Sequence, residues 1–80
     1  MPITGSTMPN LQKEREDLAR ANRDIAEGER RIADLKALIA WMTEQGQETA
    51  EHENLLRITE ETLENGHMHR QLILDALGQV

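Results

Sequence analysis

Five aliphatic residues recur at intervals of seven along the first half of this 80-residue chain. They are Leu11, Leu18, Ile25, Ile32 and Ile39. An α-helix completes two turns in about seven residues, so this repeat places all five side chains on one side of a single long helix. A strict period of seven also implies a left-handed supercoil. The pattern therefore predicts a helix that packs lengthwise against another helix.

A second set of residues follows three positions after each member of this repeat. The set combines small and polar residues with two large ones near its end: Glu14, Ala21, Gly28, Leu35 and Met42. Pro9 suits the first turn of the helix, with Thr7 or Asn10 as its cap. Residues 1–8 show no periodicity and are predicted to be a disordered tail.

The segment that follows residue 44 interrupts the repeat. Gly46 suits the left-handed conformation that often follows a helix C-terminus, and Thr49 is a favourable cap for a second helix. The second helix has its own seven-residue repeat and an interleaved set, which comprise Leu56, Leu63, Arg70 and Leu77 with Thr59, Gly66, Ile73 and Val80. The chain is therefore predicted to be all-α, an antiparallel two-helix hairpin over 9–80. Its predicted parts are a helix at 9–45, a turn at 46–48 and a helix at 49–79.

Folding the chain at Gly46 and Gln47 predicts that facing residues have numbers that sum to 94 or 95. This register places Gly28 opposite Gly66, and two facing glycines would allow the helix backbones to approach closely. An alternative is that Asn65-Gly66 forms a turn and divides the second helix, because Asn-Gly is a common turn dipeptide. The leucine repeat keeps its register across this dipeptide, which favours a continuous helix.

A second apolar stripe lies beside the predicted contact surface. Its large members are Leu38, Trp41, Leu55, Ile58 and Leu72. A lone pair of helices buries one side of each helix and gains little stability from it. The surplus apolar surface is most simply covered by a second copy, so the hairpin is predicted to dimerise into a four-helix bundle with two-fold symmetry.

Charge and composition exclude several classes of function. The net charge is -6, and residues 46–80 hold seven acids and two bases, so neither nucleic acid nor an anionic membrane surface is an expected partner. The chain has no cysteine, and Ser6 is its sole serine. No phosphate-binding glycine loop is present, so we expect no enzyme and no cofactor. The N-terminus lacks the features of a signal peptide, and the expected location is the cytoplasm.

Metal binding is the one chemical function that the residue pattern raises. Glu64 and His67 have the Glu-x-x-His spacing found in di-iron bundles, where residues three apart share one side of a helix. Such sites need a second motif and two further glutamates, and the first helix has no histidine. Solvent-exposed side chains are the simpler interpretation, and no metal site is expected.

Three segments carry a resemblance to a known family. Ile25-Ala-Glu-Gly-Glu-Arg-Arg-Ile32, Gly46-Gln-Glu-Thr-Ala-Glu51 and the pair Leu55-Leu56 resemble a family of small uncharacterised helical proteins frequent in α-proteobacteria. The resemblance covers roughly residues 18–77, and its most specific part is the turn. It implies a helical fold and a bacterial cytoplasmic location, and it adds nothing about activity.

The sequence thus predicts a non-enzymatic protein–protein interaction module that associates with itself and acts as an adaptor or small regulatory subunit. Two alternatives remain open, which are a metal-binding carboxylate and histidine bundle and an antitoxin-like acidic partner of a basic protein. The residues expected in the core or the interface are the aliphatic, glycine and tryptophan positions named above. They comprise Leu18, Ile25, Gly28, Ile32, Leu35, Leu38, Ile39, Trp41, Met42, Leu55, Leu56, Ile58, Leu63, Gly66, Leu72, Ile73 and Leu77.

Overall fold

A computed structural model of the chain describes residues 10–78 and contains two α-helices joined by a short turn. Helix α1 is Leu11–Glu44 and helix α2 is Ala50–Gly78. The two helices pack against each other in opposite directions, and no strand occurs in the described residues. The predicted all-α hairpin is confirmed. Beside the turn, each observed helix bound differs from the predicted one by one residue. The predicted tail at 1–8 and the predicted outer bounds at 9 and 79 lie outside the described part of the chain.

Helix α1 begins after Asn10, one of the two predicted caps. The Asn10 side-chain oxygen accepts a hydrogen bond from the Lys13 backbone N–H at 3.1 Å. This bond satisfies one of the backbone donors that the first turn of a helix leaves without a partner. The other candidate cap, Thr7, lies outside the described residues.

The turn is built around Gly46, which has the left-handed φ of 72°. The Gly46 N–H donates to the Thr43 carbonyl at 3.0 Å, and the Gln47 N–H donates to the Met42 carbonyl at 2.9 Å. These two bonds are the pair that defines a Schellman motif, in which a left-handed residue ends the helix and reverses the chain. The sequence-based prediction for Gly46 therefore holds.

The Glu48 side chain caps the first backbone N–H of helix α2, and Thr49 bonds to the first turn. The Glu48 carboxylate accepts from the Ala50 backbone N–H at 3.1 Å. The Thr49 hydroxyl donates to the Glu53 carboxylate, and the Thr49 carbonyl accepts from the Glu53 N–H at 2.8 Å. Thr49 thus precedes the helix as predicted, but its hydroxyl bonds to a side chain instead of to a backbone N–H.

Helix α2 continues without interruption through Asn65 and Gly66. Gly46 is the one described glycine with a positive φ, so Gly66 does not adopt a turn conformation. The alternative that divided the second helix at this dipeptide is wrong. The physical reason is that both repeats of α2 pack on α1 before and after Gly66, and a turn there would remove one half from this contact.

The helices meet along one narrow strip, which we call the seam. Ala21, Met42 and Ile73 are the buried hydrophobic residues of the described chain, and none of its side chains is below 2% exposed. Most other seam residues are half-buried, as the repeats predict: Leu18, Ile25, Gly28, Ile32, Leu35, Ile39, Leu56, Thr59, Leu63, Gly66, Arg70 and Leu77. A hairpin with so small a core obtains only a few kcal/mol from it.

The register of the two helices differs from the predicted one. A Cβ added to Gly28 would lie 3.3 Å from the Leu63 Cδ1 atom, and a Cβ added to Gly66 would lie 3.7 Å from the Ile25 Cγ1 atom. The numbers of residues that face each other therefore sum to 91 rather than to 94 or 95. The predicted pairing of Gly28 with Gly66 is wrong. Each glycine instead leaves space that a large aliphatic side chain fills, which buries more apolar surface than two facing glycines would.

One polar contact crosses the seam near the open end of the hairpin. The Arg70 Nε atom donates a hydrogen bond to the Asn22 side-chain oxygen at 2.6 Å. Among the described residues it is the one side-chain hydrogen bond that joins the two helices. A half-buried arginine usually extends its charged end into water, but part of the Arg70 guanidinium binds α1 instead. A single polar pair in an apolar seam favours one register over others.

Candidate protein–protein interface

Four large apolar side chains remain exposed near the turn of the hairpin. We call them the apolar patch, and their exposed fractions are 40% for Leu38, 52% for Trp41, 49% for Leu55 and 45% for Ile58. Leu38 and Leu55 line the same surface hollow, one from each helix. Trp41 and Ile58 each follow one of these leucines by three positions and so lie beside it on the helix surface. The patch therefore forms one continuous apolar surface.

The seven-residue repeats explain why these residues are not covered. On α1 the seam positions near the turn are Leu35 and Ile39, which are half-buried, and Met42, which is buried. Leu38 and Trp41 lie one position before Ile39 and Met42, which rotates each by about 100° away from the seam. Residues 10–78 form no third element that could cover that side, so within this part of the chain the patch faces solvent.

A shallow groove extends from the patch along the middle of the hairpin. Its lining at the patch includes Leu35, Leu38, Leu55 and Thr59. Further from the turn it is lined by Gly28, Thr62, Leu63 and Gly66 among others. Arg31 and Thr59 line both parts, so the groove is continuous. We call the side of the hairpin that carries the patch and this groove the front face.

Charge is distributed unequally across the groove. The charged residues that line it are Asp24, Glu27, Arg31 and Asp34, and all four belong to α1. The lining residues from α2 are all uncharged: Leu55, Thr59, Thr62, Leu63 and Gly66. The front face therefore has a charged half and an uncharged half, which lie side by side along its length.

Three other large hydrophobic residues of the described chain are exposed apart from the patch, and one of them, Leu11, lies at the open end of the hairpin and is 38% exposed. Leu72 is 67% exposed, and it lies fourteen residues after Ile58, or about 21 Å further along α2. Met68 is 60% exposed, and it lies thirteen residues after Leu55, which turns it about 140° away around the helix. Leu72 belongs to the residues predicted for the core or interface, and Met68 does not.

A small charge cluster occupies the open end of α1. The Lys13 ammonium donates to the Asp17 carboxylate at 3.0 Å, and an Arg20 nitrogen lies 3.5 Å from the other oxygen of this carboxylate. The hydrogen bond from Lys13 lowers the pKa of Asp17 below its ordinary value of 3.8, and the nearby charges of Arg20 and His69 lower it further. The surroundings therefore hold Asp17 in its charged form.

The candidate metal residues Glu64 and His67 are both exposed. Within the described residues no three histidine, cysteine, aspartate or glutamate side chains are grouped so that they could hold a metal ion. Glu64 lies two residues after Thr62, which turns it about 160° away from the groove. Pairing of two copies through the front face would therefore not bring Glu64 and its counterpart together.

Searches of protein-family models, of curated proteins and of solved structures found no match for this chain. The resemblance to α-proteobacterial helical proteins stays a prediction. In the described part of the chain, neither helix has the length and apolar content that crossing a membrane requires.

Proposed function

We propose that this chain is a non-enzymatic protein–protein interaction module that acts in the cytoplasm as a homodimeric helical hairpin, in the role of an adaptor or small regulatory subunit. The exposed apolar patch at the turn is the observation that supports this proposal. Four large apolar side chains, each 40–52% exposed, adjoin one another on one side of a very small protein. Contiguous exposed apolar surface of this kind is typical of protein interaction sites.

The limited core of the hairpin also favours association. Only three hydrophobic residues of the described chain are buried. A folded form that binds a second copy gains stability from that binding by mass action. Dimerisation therefore supplies the apolar burial that a single pair of helices of this size lacks.

The strength of association can be estimated from the patch. Full burial of a large apolar side chain stabilises by roughly 1.5–3 kcal/mol. The four patch residues are already about half covered, so each has on the order of 1 kcal/mol still to gain. Two copies together would gain about 8 kcal/mol, while association itself costs at least several kcal/mol. The patch therefore needs further contacts along the front face to give a dimer at micromolar concentration.

The front face is large enough to provide those contacts. Helix α2 has 29 residues, which corresponds to a length of about 43 Å. Two helices packed 8–10 Å apart present a face about 18 Å wide, or roughly 800 Å². This area equals the share that each partner contributes to an interface of standard size, which is about 800 Å².

Sedimentation equilibrium with neutral substitutions tests this proposal. Leu38→Gln combined with Leu55→Gln removes two patch leucines from each copy while preserving helix propensity. The loss of four half-exposed leucines in the dimer, at about 1 kcal/mol each, is expected to weaken dimerisation about a thousandfold. Met68→Gln is the matched control, because Met68 is exposed but lies on another side of α2.

Two results would contradict the proposal. One is a wild-type protein that stays monomeric throughout the micromolar range. The other is a double variant that dimerises as tightly as the Met68→Gln control. Circular dichroism of each variant establishes that the hairpin itself has formed.

A second candidate function is supported by the charge of α2. This helix carries six acids against two bases, and one ion pair, between Arg57 and Glu61, is found on it in the described residues. Such a surface suits a basic protein partner, as in an antitoxin-like complex. Binding of a basic protein that is lost at high salt and in Glu60→Gln with Glu64→Gln, but kept in the patch double variant, would favour this function.

A further inference from the structure

We propose that two copies pair through their front faces with both turns at the same end, so that the two-fold axis runs parallel to the groove. This proposal rests on the proposed homodimer and adds the arrangement of its four helices. Each α1 then packs against the partner's α2, antiparallel to it. The alternative arrangement has the axis across the groove, with the turns at opposite ends and each α1 on the partner's α1.

The position of the apolar patch favours the same-end arrangement. All four patch residues lie in the half of the hairpin next to the turn. When the turns are together, Leu38 of each copy lies against the partner's Leu55, and Trp41 and Ile58 enclose them. Eight large apolar side chains then leave water in one cluster. Burial in one cluster is more effective because each side chain is covered by other apolar atoms.

The opposite-end arrangement divides that cluster. In that arrangement the two-fold axis crosses the middle of α1, near residue 28. Residues of the two α1 helices that face each other then have numbers that sum to about 55. Leu38 then lies on the partner's Asp17, a carboxylate already held in its charged form by Lys13. Placing a leucine over a charged carboxylate removes water from the charge without giving it a new partner.

The distribution of charge along the groove also separates the lining acids of the two copies in this arrangement. The charged lining residues all come from α1 and the uncharged ones all come from α2. With the turns together, the charged half of each front face covers the uncharged half of the other, so the lining acids of one copy do not face those of its partner. Covering these charges removes water from them, a cost that both arrangements carry. With the turns apart, Glu27 lies near the axis and faces its own copy. Arg31 would reach the partner's Asp24 in that arrangement, which offsets part of this repulsion.

Distance measurement between spin labels tests the arrangement. The chain has no cysteine, so a single introduced cysteine carries the only label. Gln47→Cys places the label in the turn, at an exposed position. With the turns together, the two labels of a dimer lie within about 30 Å of each other, because neighbouring helices pack 8–10 Å apart. With the turns apart, they are separated by about 50 Å, the length of the 34-residue α1.

A label at Ala26 serves as the control for dimerisation itself. Ala26 is exposed near the middle of α1, so both arrangements bring its two copies within about 35 Å. A short distance from both labels supports the proposal. A short distance from Ala26→Cys with about 50 Å from Gln47→Cys overturns the arrangement while leaving the homodimer intact. Absence of any dipolar signal from both labelled proteins overturns the homodimer as well.

Discussion

Alanine substitution of the two seam glycines tests the register of the hairpin. Alanine is a better helix former than glycine by about 1 kcal/mol in a helix interior. At Gly66 the new Cβ would lie 3.7 Å from Ile25 Cγ1, which is an ordinary van der Waals distance. Gly66→Ala is therefore expected to stabilise the hairpin by about 1 kcal/mol and to raise its Tm by roughly 4–8 °C.

At Gly28 the same change meets a closer neighbour. The new Cβ would lie 3.3 Å from Leu63 Cδ1, so the leucine must shift by a few tenths of an ångström. Moving a packed side chain off its preferred rotamer costs about 0.5–1.5 kcal/mol, which offsets the gain in helix propensity. Gly28→Ala is therefore expected to leave the Tm within about 3 °C of wild type.

Thermal unfolding followed by circular dichroism measures both variants, with the protein concentration held fixed because dimerisation makes the Tm depend on it. The test compares the Tm values of the two variants with each other and with that of wild type. If Gly66→Ala lowers the Tm while Gly28→Ala raises it, the glycines do not face Ile25 and Leu63 in the way described. If both variants strongly destabilise, the two glycines face each other, as the sequence alone suggested.

Three further substitutions test local features, each by its Tm relative to wild type. Gly46→Ala is expected to destabilise by about 1–2 kcal/mol, because its φ of 72° disfavours a side chain even in open space. Asp17→Asn should lower the Tm at pH 7, and the difference from wild type should shrink as the pH falls below about 4. The pKa of Asp17 is lowered by Lys13, so its stabilising effect is complete above about pH 4 and is lost as the pH falls through the folded-state pKa. Arg70→Leu should raise the Tm, because the new leucine extends the leucine repeat of the seam. The hydrogen bond to Asn22 that is lost is accessible to water and contributes little. A lower Tm would show that this bond contributes more than apolar packing.

The helices and the turn were predictable because their signals are local. The repeat from Leu11 to Ile39 has one period throughout, and a helix is the structure in which that period forms one apolar side. Gly46 marks the turn because a left-handed residue after a helix end is most often glycine. Neither inference required knowledge of which residues of the two helices face each other.

The register was not predictable from the same repeats. A seven-residue repeat remains satisfied when one helix slides along the other by about a turn, so it leaves the pairing of Gly28 open. The register is instead seen in the neighbours of the two glycines, Leu63 beside Gly28 and Ile25 beside Gly66, whose numbers sum to 91. The Arg70–Asn22 bond depends on this register and was missed for the same reason.

The candidate interface was predictable only in part. Leu38 and Trp41 deviate from the repeat of α1, and Leu55 and Ile58 deviate from that of α2, so their exposure follows from helical spacing alone. The groove beside Gly28 does not, because its shape depends on which α2 residues lie opposite. Its separation into a charged and an uncharged half likewise appears only once the two helices are aligned.

Fluorescence of Trp41 on dilution tests the central claim most directly. Trp41 is the single aromatic residue of the chain, and it lies in the patch with 52% of its surface exposed in the isolated hairpin. Pairing through the front face removes water from its indole ring. Its emission is therefore expected to shift to longer wavelength on dilution, with the same midpoint as dimer dissociation measured by sedimentation. Emission that stays that of a water-exposed tryptophan while the protein remains dimeric would contradict the claim that the patch is the dimer interface.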